Sequence, residues 1–90
     1  MQEMNFNGIM TPEIAAQVQA ADDMTAKLEV LDSQIGATYD EFVRGGINMP
    51  ARDFAKSALA YQAENKIVME PEMWLNFASH RMNLILMGMA

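Results

Sequence analysis

Every seventh residue from Ile14 to Phe42 is apolar: Ile14, Ala21, Leu28, Ile35 and Phe42. A spacing of seven is two turns of α-helix, so these side chains align as one stripe. The positions three residues further on read Gln17, Met24, Leu31 and Thr38, two of them apolar. Thr11-Pro12-Glu13 supplies a start: a capping hydroxyl, a proline where the missing N–H is not needed, and an acid beside the positive end of the helix dipole. Gly45-Gly46 supplies the stop. The pattern predicts one long amphipathic helix of about 30 residues, roughly 45 Å. Gly36 is its weak point, where a bend or a break is easiest. Asp22, Asp23, Lys27, Glu29 and Asp32 fall mostly outside the stripe, and Asp23 and Lys27 have the spacing of an i,i+4 ion pair.

A second helix is predicted after Pro50, over Ala51 to Met69, with Phe54, Ala58, Tyr61 and Val68 on one face. Ala51, Ala55, Ala58, Ala60 and Ala63 raise its helix propensity. Glu70-Pro71 interrupts it, because the residue before a proline is pushed out of the α region. Pro71 then opens a third helix, Glu72 to about Met87, in which Leu75, Ala78, Met82, Ile85 and Met89 form a seam. Met73, Trp74, Phe77 and Leu84 widen that seam until only a narrow polar stripe of Glu72, Asn76, Ser79, His80 and Asn83 remains. Nothing alternates with the period of a strand. The expected fold is all-α, a long N-terminal amphipathic helix packed against a Pro-kinked pair of shorter helices. It closes either as a helical hairpin or, with a break at Gly36, as a small three- or four-helix bundle. A two-residue junction at Glu70-Pro71 kinks the chain but does not readily reverse it. Residues 1–10 lack a period and read as a flexible or docking arm whose Met4, Phe6, Ile9 and Met10 pack on a neighbour; residues 11–90 read as a single helical domain.

Charge and composition then exclude several classes of function. The 90 residues carry a formal charge of −6, which argues against nucleic-acid binding, where a basic face must displace counterions. No cysteine is present, so disulfide frameworks and thiolate metal sites are ruled out. No apolar run approaches the roughly 20 residues of a membrane span, and no basic-then-apolar leader opens the chain. A place in the cytoplasm or in a soluble assembly is expected. The whole charge imbalance sits in the first half, where Glu3, Glu13, Asp22, Asp23, Glu29, Asp32, Asp40 and Glu41 face only Lys27 and Arg44.

Groupings that carry chemistry are sparse. Met73 and Met87 stand seven residues to either side of His80, a spacing open to haem or copper. A histidine in a polar stripe is the preferred reading, since metal sites converge from several elements. The ten methionines are scattered, which suits core filling or an adaptable surface. Ser79 and His80 are adjacent and so do not face each other on a helix. Asp22-Asp23 and Asp40-Glu41 read as solvated neighbours and not as an acid and base pair. No catalytic residue, cofactor or metal is expected, and no enzyme.

What remains is surplus apolar surface on the last helix, more than a thin hairpin covers. The expected function is a non-enzymatic assembly subunit that binds protein, and self-associates, through Trp74, Phe77, Met82, Ile85 and Met89. Trp74 is also a natural core anchor. The alternative is a small acidic inhibitor or adaptor of the phage type, docking on a basic host protein through Asp22, Asp23, Glu29 and Asp32, with Asp40 and Glu41 further along.

Overall fold

The computed structural model describes residues 10–89, and among them every regular element is a helix. The chain is all-α and packs as a small bundle. Helix α1 spans Pro12–Ala20, α2 Met24–Leu31, α3 Ala37–Arg44, α4 Ala51–Glu64 and α5 Pro71–Leu86. A single π-helical turn, Asp32–Gly36, joins α2 to α3 without interrupting the rod. Met4, Phe6 and Ile9 of the expected arm lie outside the described residues. Met10 is buried in the core.

The long first helix is not continuous. It breaks at residues 21–23, and not at Gly36. The start signal behaves as expected: Thr11 Oγ1 accepts from the Ile14 amide at 3.2 Å, with Pro12 next in line. Ala21 then turns extended, and the Asp23 carboxylate accepts from the Ala26 amide at 2.9 Å, capping a fresh helix. Lys27 Nζ reaches back to the carbonyls of Val18 and Ala21 at 2.9 and 3.0 Å. These acceptors lie at the end of α1, where carbonyls lack helical partners. Asp23 and Lys27 therefore close a turn together, each on backbone, in place of the ion pair their spacing suggests. α1 folds back on α2, and Gln17 meets Gln34 at 3.3 Å.

The second correction concerns the return arm. α4 ends at Glu64, and a six-residue link reverses the chain, so the Pro-kinked pair is an antiparallel hairpin. Lys66 takes a left-handed φ of 55°. Its amide bonds Ala63 O at 3.2 Å, and that of Ile67 bonds Gln62 O at 3.0 Å, the double closure of a Schellman motif. Gln62 Nε2 then donates to the carbonyls of Ile67 and Met69 at 3.1 and 2.7 Å, fixing the link. α5 packs against α2, α3 and α4.

The core is aromatic at its centre. The Tyr39 ring touches four others, its centroid 5.2 Å from Phe42, 5.0 Å from Tyr61, 4.8 Å from Trp74 and 5.4 Å from Phe77. Trp74 donates its indole N–H to Ala58 O at 3.1 Å. The buried line along α2 and α3 is Leu31, Ile35, Tyr39 and Val43, a spacing of four, while Leu28 and Phe42 of the expected stripe are half-buried. A regular helix drifts by about 40° over four residues. The π turn, with its wider i→i+5 closure, absorbs part of that drift.

Candidate interaction surface

The same line of fours organises the polar side of the contact. Asp32, Gly36 and Asp40 run beside the apolar line and face α5. Arg81 donates to Asp40 through Nε at 2.8 Å and Nη2 at 2.5 Å, and to Asp32 through Nη1 at 3.1 Å. His80 Nε2 lies 2.8 Å from the other Asp32 oxygen. Asp40 and Arg81 are buried. Hydrogen bonds to Asp40, against the desolvation of burial, hold the guanidinium above its ordinary pKa, with Asp32 adding to the effect. Asp40 is thus a buried ion-pair partner and not a solvated acid of the first half. Asp32 is half-buried and engaged by two side chains, His80 and Arg81. Asp22, Asp23 and Glu29 stay exposed, with Asp23 also serving as the cap of α2.

Along α5 the inward strip is Met73, Trp74, Phe77, Ala78 and Arg81. Trp74 and Phe77 are 0 % exposed within this chain, so neither presents surface to a partner. Their breadth of apolar contact is met by α2, α3 and α4 together, the cover a thin hairpin lacked. Met82 and Ile85 are half-buried against the core, and Met89 is 71 % exposed.

The end of α5 does carry apolar surface, and it is shared with the α3–α4 turn. Gly88, at φ 75°, closes the helix: its amide bonds Ile85 O at 3.0 Å, and that of Met89 bonds Leu84 O at 2.8 Å. In the turn, a Cβ on Gly46 would stand 2.4 Å from Phe54 Cδ1, so glycine there admits the ring of α4. The result is a groove of about 270 Å³ lined by Ile47, Met49, Phe54, Met82 and Leu86, with Ser79 and Asn83 as its polar side chains and no charged one among the described residues. Ile47 and Met49 are each 42 % exposed, Leu86 63 % and Met87 62 %. Of these four the sequence singled out only Met87, for its spacing from His80 and not as apolar surface. Two large apolar residues inside a Gly-Gly turn, Ile47 and Met49, were the available sign.

A second recess lies at the opposite end of α5, between α1, the start of α2 and the link. It measures about 400 Å³, and Val18, Met24, Val68, Met69 and Met73 contribute its apolar lining. Among the described residues no group of three acidic or histidine side chains is placed to hold a metal ion, and no helix is long and apolar enough to cross a membrane. Comparison with protein-family models, with curated proteins and with solved structures finds no match for this chain.

Proposed function

We propose that this chain is a non-enzymatic assembly subunit, acting by packing in the cytoplasm or in a soluble assembly, and that it pairs with a second copy through the end of α5 and the α3–α4 turn. One observation carries the reading. Ile47, Met49 and Leu86, three of the exposed large apolar side chains, line one groove that has no charged side chain among the described residues, and the exposed Met87 and Met89 follow Leu86 in the chain. Singly scattered apolar residues are ordinary on a protein surface, whereas a gathered patch marks a contact. Two acidic copies repel in general, but among the described residues the groove lining brings no carboxylate into such a contact. Methionine suits it, since an unbranched thioether adapts to the same side chain of the second copy across a two-fold axis.

Light scattering after size exclusion, at low and at high salt, tests the reading. A dimer that persists in high salt is expected, because apolar packing is not screened. Leu86→Asp, on a residue 63 % exposed, yields a monomer with unchanged helicity. A monomer at about 100 µM in the unaltered chain contradicts the proposal.

A further inference from the structure

We infer that the recess between α1, the start of α2 and the start of α5 docks a basic amphipathic helix of a partner protein. This surface is distinct from the proposed self-association patch: Met73 and Met82, one on each, are nine residues apart on α5, about 14 Å by helical rise. The floor of the recess is Ala15, Val18, Met24, Met69 and Met73. Three of these are methionines, the side chain that repacks most readily around a partner's apolar anchors.

Val68 shows that the recess is held open. It is 79 % exposed although β-branched and apolar, while its neighbour Ile67 is 5 % exposed. Gln62 pins the carbonyls on both sides of it, at Ile67 and Met69, so the link keeps Ile67 inward and Val68 out. An apolar side chain fixed outward at the lip of an apolar recess is an anchor for a facing helix.

The charge of the rim selects the partner. Glu70 and Glu72 line the recess, and Asp22 and Asp23 stand exposed in the turn just before Met24. Among the described residues the lining holds one cation, Lys27, and its ammonium is turned back onto the carbonyls of Val18 and Ala21. An apolar floor under an acidic rim is complementary to a helix with Leu or Phe at i, i+3 and i+7 and Lys or Arg on its flanks. A volume of about 400 Å³ accepts one or two such anchors.

The test uses the full chain with 13C-methyl methionine, since methionines report separately on the two surfaces. The probe is a 14-residue amphipathic helix made of Leu and Lys. Two controls accompany it: the same design in Leu and Glu, and a Leu/Lys peptide with its leucines scattered around the helix. The Met24, Met69 and Met73 methyl signals are expected to move and saturate with the Leu/Lys helix, while Met49, Met82, Met87 and Met89 stay. Both controls fail to bind. Glu70→Lys with Glu72→Lys, and separately Val68→Ser, weaken binding by about tenfold or more without changing the circular dichroism spectrum. Any of four results overturns the proposal: no shift, shifts confined to the other four methionines, equal binding of either control, or binding indifferent to the charge reversal. Contacts from Met1 or Met4 to Met24 in the free chain would assign the recess to residues 1–9 and equally overturn it. The oligomeric state read by light scattering is unaffected by these variants, so this inference and the proposed dimer fail separately.

Discussion

The guanidinium of Arg81 lies across the backbone of Gly36: a Cβ at that glycine would stand 2.9 Å from Arg81 Nη1 and 3.0 Å from Cζ. Glycine within a helix is destabilising by about 1 kcal/mol relative to alanine, so exposed Gly→Ala changes usually help. Here the crowding atoms belong to a side chain that is not free to move, because Nε and Nη2 are held on the buried Asp40. Nη1 is the atom that must yield, and it holds the bond to Asp32. A hydrogen bond between charged groups contributes about 1.5–3 kcal/mol, more than the propensity gain. Gly36→Ala is expected to destabilise by about 1 kcal/mol in urea denaturation. A rise in stability would mean that Arg81 relaxes without loss.

Arg81 and Asp40 form the buried pair of the fold, with side-chain exposures of 10 % and 5 %. Removing Arg81 strands the Asp40 charge in the interior, at a cost of about 3–5 kcal/mol, whereas removing Asp40 leaves Arg81 its bond to Asp32. Arg81→Leu is expected to fall in that range, Asp40→Leu below it, and the double substitution well short of their sum. A double-mutant cycle measures this directly. Simple additivity would show that the two charges are solvated independently of each other.

These contacts show which parts of the fold a sequence can display. Thr11-Pro12, Gly45-Gly46 and Pro71 act through their own backbone chemistry, so helix starts and stops at those places are readable locally. The break at residues 21–23 is not, because the apolar stripe runs straight through Ala21 and no glycine or proline marks it. Asp23 as a cap was the one local sign. Asp40 was hidden for a geometric reason: in a regular helix its register points away from the stripe, and the π turn brings it around to Arg81. Lys66 in a glycine-like position concealed the reversal between α4 and α5. Of the surface, the Met-rich end of α5 was visible in outline. Its groove was not, since the exposure of Ile47 and Met49 depends on how the α3–α4 turn sits against α5.

Tyr39 carries the fold's polar defect. Its ring is wholly enclosed, and its hydroxyl is buried with no hydrogen-bond partner among the described residues, while the neighbouring Trp74 indole is committed to Ala58 O. An unmet buried hydroxyl is unfavourable by about 1–3 kcal/mol. Tyr39→Phe keeps the ring contacts and is expected to raise stability by about 1 kcal/mol at neutral pH. Burial, then the neighbouring Tyr61, also pushes the Tyr39 phenol above its ordinary pKa of 10.0. Tyr61 is raised as well, by burial and then by Glu41. A raised folded-state pKa contributes stability that is intact below the unfolded value and lost as pH climbs past it. Stability is therefore expected to fall above about pH 10, less steeply in Tyr39→Phe. An unchanged alkaline slope in that variant would place the loss elsewhere.

Lys66 holds the Schellman closure of α4 in a conformation that suits glycine, with φ 55°. A side chain in the left-handed region is disfavoured by about 1–2 kcal/mol, against which glycine loses somewhat more backbone entropy on folding. Lys66→Gly is expected to stabilise by roughly 0.5–1 kcal/mol, a rise of about 3–6 °C in the melting midpoint for a domain of this size. The ammonium itself is exposed, so Lys66→Ala, which removes the charge but keeps the strain, should leave the midpoint unchanged. The gain also bears on function, because the same turn sets the link that holds Val68 outward. If Lys66→Gly stabilises without altering the response of Met24, Met69 and Met73 to the Leu/Lys helix, the pinning of Val68 belongs to Gln62 and not to the strained turn. If the midpoint falls, the left-handed turn is not where the reversal is held.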